Sequence, residues 1–402
     1  MGYGVGHGVE RAWPGAVVRG FAERWLSRME GLGGQGEEGE GAGGSDGFVC
    51  SPAGMWLALS AVAVGARAET AEELRGLLGV AGVDAARVVT DGARALAETD
   101  ALGVATRVWS RVAVRREYRE ALPDIGFGSM NSPDSVDSVV SVDSAGVDAW
   151  VREVTGGMIE RLPVSVGPDT LLLLVNALAL KARWEDPFEG AATRDADFTD
   201  AAGVVHRVPT MRRTVALGDA WAVDGGGGAG SGGARGARVV EMRCVSRGGR
   251  PPVRVRFVLG EPGAGPAAVL PLGWAPRERC SPLDAELVSM ALPRLSLRTR
   301  VDATGQLAAL GVRRAMSDAA DFSGMSPERL AISQVVQEAV VRIAEEGVEA
   351  ASVTAVPMRP GSGRLRRVER VAFERPFGVV VLDGSGAVPV FAAWQAGAPS
   401  GG

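Results

Sequence analysis

Apolar residues fall at two different spacings along the chain. In the N-terminal half the spacing is helical. Val17, Val18, Phe21 and Trp25 recur every three or four residues and predict an amphipathic helix over residues 15–29. Met55–Ala66 is apolar on most sides, as a helix buried all round requires. Thr70 and Glu73 read as a capping box opening a short helix that runs to Leu78. Trp150, Val154, Met158 and Ile159 carry helical spacing across 147–162. The pattern then changes. Leu171–Leu180 is almost unbroken apolar sequence and predicts a strand buried on both faces of a large sheet. Strand-like runs follow at 238–242, 252–258 and 287–297, helical residues near 304–316, and strands again at 331–344, 377–382 and 388–394. Early helices and later strands, without repeated βαβ alternation, predict an α+β chain with large mixed sheets.

Composition narrows the functional classes. Of the 402 residues 46% are hydrophobic and 23% charged, enough for a large core. The formal net charge of −5 opposes a phosphate-tracking surface, so nucleic acid is not an expected partner. Lys181 is the only lysine; with abundant Gly, Ala and Val, this reads as coding bias in a GC-rich genome. Cys50, Cys244 and Cys280 are far apart and no Cys/His cluster exists, so neither zinc nor a disulfide framework is expected, and no cofactor is implied. The N-terminus lacks a basic start followed by an apolar run, and no run of ~18 uncharged apolar residues exists. The expectation is a cytoplasmic chain without a membrane partner, with an extracellular site open if another route out is used. Residues 31–47 and 225–233 are Gly-rich and read as flexible loops.

Two catalytic motifs match only in letters. Gly43–Gly47 fits GxSxG but ends a low-complexity tract instead of joining a strand to a helix. Gly31–Gly36 fits GxGxxG but follows a predicted helix. The two histidines are His7, in the loose N-terminus, and His206, in the strand-like run VVHRVPT. A hydrolase triad is therefore poorly supplied, and the chain does not read as an enzyme. The acidic run Glu37–Glu40 reads as a solvated face of the linker.

The stretch EEGVEAASVTAV, Glu345–Val356, is less ordinary. Drawn as a strand, it puts Val348, Ala350, Ser352, Thr354 and Val356 on one face and Glu349, Ala351, Val353 and Ala355 on the other. The first face is small or β-branched throughout, and Gly347 supplies freedom to turn. The sequence then becomes PMRPGSGRLRR, a solvated, protease-accessible loop. The segment is soluble outside a sheet and able to pack inside one.

From about residue 15 the chain resembles a serpin, of bacterial type. EEGVEAASVTAV looks like the hinge of the reactive-centre loop. FVCSPAGMWLALSAVAVGARAETAEEL, AWVREVTGGMIERL, LLVNALALKARWEDPF, MALPRLSL, ADFSGMSPERLAIS, VERVAFERPFGVVVLD and VPVFAAW follow in serpin order. The resemblance implies a single α+β domain of serpin fold, with three β-sheets, a large sheet A, about eight or nine helices, and an exposed loop over 345–370. It implies a monomeric suicide inhibitor of a target serine protease, with cysteine proteases as a further class. A non-inhibitory binding, carrier or chaperone-like serpin is the alternative.

The resemblance also assigns roles. Glu345, Glu346, Gly347, Val348, Glu349, Ala350, Ala351, Ser352 and Val353 form the hinge. Trp184 and Arg294 belong to the breach, where Arg294 is expected to pair with Glu345. Ser51, Asn176 and Gln337 belong to the shutter. Gln337 stands where many members have histidine, and Gly54 where they have a second serine. A Gln337 bond to Asn176 or Ser51 is compatible with amide chemistry. The scissile bond is Gly361–Ser362 by count from Glu345, or Arg364–Leu365 by the chemistry of a trypsin-like target.

Overall fold

A computed structural model of the chain describes residues 15–29, 47–83, 85–97, 102–130, 144–160, 169–180, 183–225, 236–246, 249–347 and 367–400. In chain order it contains α1 (Gly15–Leu26), β1 (Gly47–Cys50), α2 (Pro52–Gly65), α3 (Ala68–Leu78), α4 (Ala85–Ala97), β2 (Leu102–Ser110), α5 (Arg116–Glu120) and β3 (Gly126–Ser129). There follow α6 (Ser144–Thr155), β4 (Leu172–Leu180), β5 (Arg194–Thr199), β6 (Val205–Val215), β7 (Ala220–Val223), β8 (Ala237–Arg243), β9 (Arg254–Gly260) and α7 (Pro266–Val269). The last elements are β10 (Cys280–Pro282), β11 (Leu287–Pro293), β12 (Leu295–Asp302), α8 (Thr304–Ala309), β13 (Gln334–Ile343), β14 (Val368–Ala372), β15 (Phe377–Leu382) and β16 (Pro389–Gln395).

The strands make three sheets. One has the order β1-β16-β15-β9-β8-β7-β10, the second β14-β11-β6-β5, and the third β12-β13-β4-β2-β3. The third positions the site. Its β12–β13 and β4–β2 pairs are antiparallel, but β13 and β4 at its centre run parallel, from Gln334 opposite Leu173 to Val340 opposite Ala179. Every residue of β4 is buried, which accounts for a sequence apolar everywhere but Asn176. One cover is α2, buried along its whole length and packed against β2, β4 and β16. Its first turn is capped by Ser51, whose Oγ accepts from the Gly54 N–H at 3.0 Å. The helix α6 packs on β2 and β4.

Two readings of the sequence are corrected. Thr70 and Glu73 do not form a capping box. The N-cap of α3 is Arg67, three residues earlier, and both side chains are spent on another segment. Thr70 Oγ1 accepts from the Asp321 N–H, and the Glu73 carboxylate accepts from the backbone N–H groups of Arg313, Arg314 and Ala315. The apolar run 287–297 is two strands. The chain leaves the four-stranded sheet after Pro293 and enters the five-stranded one at Leu295, with the Arg294 N–H donating to Pro209 O at 3.0 Å between them. Both strands bury apolar residues, so hydropathy does not mark the crossing.

Candidate functional site

The strand β13 ends at the top of the sheet in a turn. Ala344 N–H donates to Gly347 O at 2.9 Å, and Gly347 N–H donates back to Ala344 O at 3.3 Å. Glu345 and Glu346 form the two-residue loop between them, as in a tight hairpin. Gly347 has φ +132°, a conformation that favours glycine. On its other side Gly347 makes an antiparallel bridge to Arg183, just past the end of β4. Gly347 therefore already touches the extensions of both central strands.

Trp184 and Arg294 fasten this turn. The Trp184 backbone N–H donates to Glu346 O and its indole N–H to Ala344 O, each at 3.1 Å, with the ring 2% exposed. The ring meets Phe257 edge-on at 6.3 Å between centroids. Arg294 grips Glu345 as expected of a planar fork. Its Nε lies 3.0 Å from both carboxylate oxygens and Nη2 lies 2.6 Å from Oε1. The Thr193 hydroxyl donates to Oε1 at 2.7 Å, and the Phe188 N–H donates to the Glu345 carbonyl at 2.8 Å.

Burial alone would raise the Glu345 pKa. The bonds from Arg294 and Thr193 outweigh it and hold the carboxyl below its ordinary value. A depressed carboxylate stabilises the folded chain above the unfolded pKa, about 4–5, and that contribution fades as pH falls through the folded value. Arg294 is 37% exposed, so the pair is worth about 1 kcal/mol rather than the ~3 kcal/mol of a sealed one. Glu345→Gln should therefore lower the urea midpoint at pH 7, and the difference from the parent should shrink as the pH is lowered below about 4–5. A loss that does not change with pH would assign the effect to packing.

Halfway down the same seam is a buried polar chain. Gln337 of β13 and Asn176 of β4 are direct partners in the parallel register, and each is 1% exposed. Gln337 Nε2 donates to Asn176 Oδ1 and to Ser51 O, both at 2.9 Å, and its Oε1 accepts from the Ser51 N–H at 2.8 Å. The Ser51 hydroxyl donates to Val390 O of β16 at 2.6 Å. Asn176 Nδ2 donates to Thr106 Oγ1 of β2 at 2.9 Å. One network thus ties the start of α2 to β13, β4, β2 and β16. Gly54 makes room for it, since a Cβ there would lie 2.3 Å from Asn176 Oδ1. On the opposite face of β13, the buried Glu338 carboxylate is held by Arg298 of β12 at 2.6–2.7 Å.

The structure brings the sequence-selected residues together as two groups. Trp184, Arg294, Glu345, Glu346 and Gly347 gather at the top of the seam, and Ser51, Asn176 and Gln337 across its middle. Val348, Glu349, Ala350, Ala351, Ser352, Val353, Gly361, Ser362, Arg364 and Leu365 lie outside the described residues. Thr106 and Thr193 escaped notice. They are 70 and 152 residues from their partners, and no local pattern marks a threonine that completes a distant network. His206 lies on β6 and bonds Asp200 at 2.7 Å, far in sequence from any nucleophile candidate.

The arrangement is a turn at the top of a sheet whose Gly347 bridges to both sides of a parallel seam. A family model described as Serpin (serine protease inhibitor) matches residues 41–243 and 274–394, and the chain belongs to that family. It is 31% identical over 321 residues to the leukocyte elastase inhibitor of Bos taurus, covering 76% of this chain and 81% of that one. It is 28% identical over 352 residues to Iris of Ixodes ricinus, covering 82% and 86%. The thermophilic serpin tengpin, in its native state, has the same fold, with TM-score 0.74 over 94% of this chain and 93% of that one at 18% identity. The fold is the α+β serpin fold. Relatives from cattle and a tick lend no support to the bacterial type given with the resemblance.

Proposed function

We propose that this chain inhibits serine proteases as a suicide substrate. The target nucleophile opens the loop and is held as an acyl-enzyme while the freed loop enters the five-stranded sheet between β13 and β4. The observation that carries this reading is the double bridge of Gly347, to Ala344 on the β13 side and to Arg183 on the β4 side. Extending either register downward gives the same strand. Val348 falls opposite Ile343, Ala350 opposite Val341 and Leu180, and Thr354 opposite both Gln337 and Asn176. The two registers agree because Gln337 and Asn176 are already partners.

Energetics favour the move. One parallel pair is replaced by two antiparallel pairs, which are slightly more stable per residue. The Gln337–Asn176 bond has to open, and the Thr354 hydroxyl arrives at the same level, able to donate and to accept. On the outer face Glu349 comes opposite Arg342, an exchange of charges across the new ladder. The uncleaved form then owes its persistence to a barrier, and its relevant stability is kinetic. Seam and loop belong to one chain, so a monomer suffices, and the residues act by strand addition rather than by catalysis.

The test is to mix the purified protein with a trypsin-like and an elastase-like protease, run denaturing gels, and sequence the released C-terminal peptide. A complex that survives denaturant is expected. A peptide beginning at Ser362 assigns Gly361–Ser362; one beginning at Leu365 assigns Arg364–Leu365. Cleavage with no complex, by every protease tried, would overturn inhibition and favour a binding or carrier role.

A further inference from the structure

At the foot of the seam, opposite the loop base, lies an open cleft of about 490 Å³. Leu171, Ala308, Met316 and Ile332 give it an apolar floor, and Asp169 and Asp318 stand at its exposed rim. Neither aspartate has an ion-pair partner among the described residues. The cleft begins where the seam ends. Just above it, Ser333 N–H donates to Leu172 O at 3.1 Å, and Leu171 N–H donates to the Ser333 hydroxyl at 2.9 Å.

We propose that this cleft is the seat of Met358 and Arg359 once the loop has been cleaved and inserted. The inference rests on the inhibitory reading above and adds a positioning site to it. The register set by Gly347 carries Pro357 opposite Gln334 and Leu173, the last paired residues of β13 and β4. Ten residues, Val348–Pro357, match the 10 residues of β13. Proline has no N–H to offer a ladder and suits its final rung. The next two residues leave the ladder at the level of Ser333 and Ile332 on one side and Leu172 and Leu171 on the other. Of these, Ser333, Ile332 and Leu171 line the cleft. A methionine fills an irregular apolar gap well, and its three rotatable bonds let it adapt. The Arg359 guanidinium brings positive charge to the Asp169 and Asp318 carboxylates. Both candidate scissile bonds lie beyond Arg359, so the anchor stays on the inserted strand whichever is cut.

The site predicts a contact that exists only after cleavage. In a variant carrying Arg359→Cys and Asp318→Cys, mild oxidation should link the two positions in the cleaved protein and not in the uncleaved one, read by peptide mass mapping. Cys50 and Cys244 are buried and do not compete, and the partly exposed Cys280 is replaced by serine in the same background. Separately, Arg359→Glu should lower the guanidinium midpoint of the cleaved protein by about 0.1–0.3 M and leave the uncleaved midpoint unchanged, and adding Asp318→Arg should restore it. Denaturant-stable complexes and a stabilised cleaved form, with neither cross-link nor charge dependence, would overturn the cleft assignment alone. Loss of complex and of stabilisation in the parent protein would overturn both readings.

Discussion

Ala350→Asp should convert the protein from an inhibitor into a substrate. In the inserted register Ala350 lies between Val341 and Leu180, both 0% exposed, on the face turned toward the core. Aspartate is too short to lift its carboxylate to solvent, and the surroundings offer no described cation. An unpaired charge buried in this way costs about 3–5 kcal/mol. If insertion must pass that residue before the acyl bond hydrolyses, the barrier rises by a similar amount and the branching ratio shifts by about 10²–10⁴. The number of inhibitor molecules consumed per protease should climb until no complex is seen, while cleavage continues. Ala350→Ser, uncharged and nearly the same size, should keep most of the complex. A normal yield of complex from Ala350→Asp would show that the strand enters in another register or not at all.

Gly54→Ala should destabilise the uncleaved protein by about 2–4 kcal/mol, against what helix propensity predicts. Alanine in place of glycine favours a helix by up to about 1 kcal/mol. Here the added carbon would lie 2.3 Å from Asn176 Oδ1 and 2.8 Å from Leu178 Cδ1. Asn176 cannot yield cheaply, because it bonds Gln337 and Thr106 at once. Crowding contributes about 1–3 kcal/mol and the orphaned amide a further ~1–3 kcal/mol, which together outweigh the gain. The sheet should also open more readily, so the loop should insert without cleavage when the variant is warmed. The check is a double-mutant cycle on unfolding midpoints. Asn176→Ala removes the atom in conflict, so the pair of changes should cost less than the sum of the two. Additive costs would place the strain elsewhere.

The central strand and the buried α2 were legible because each carries its signal locally, whereas the hinge beyond Gly347 lies outside the described residues. Leu172–Leu180 is apolar apart from Asn176, and α2 is apolar nearly all round. The Arg294–Glu345 and Gln337–Asn176 contacts followed only from the family resemblance, since 51 and 161 residues separate the partners. What stayed hidden depends on tertiary context. Thr70 and Glu73 have the letters of a capping box, but backbone N–H groups from Arg313–Ala315 and Asp321 claimed them first. The change of sheet at Arg294 leaves no trace in hydropathy because both strands bury apolar residues. The seat proposed for Met358 and Arg359 needs a register, and a register is a pairing between distant segments.

The Glu345–Glu346 turn has a kinetic consequence. Strand formation normally spends most of its time finding a first correct pairing, because chain entropy is lost before contacts repay it. With Gly347 already seated between Ala344 and Arg183, that search is over before any protease arrives. On the inhibitory reading proposed above, loop entry becomes propagation from a fixed first tooth, each later rung adding hydrogen bonds as its residue is ordered. Its speed is then governed by how fast the β13–β4 ladder unzips ahead of it, and the contest with deacylation is decided by the Gln337–Asn176 lock rather than by the length or wandering of the loop.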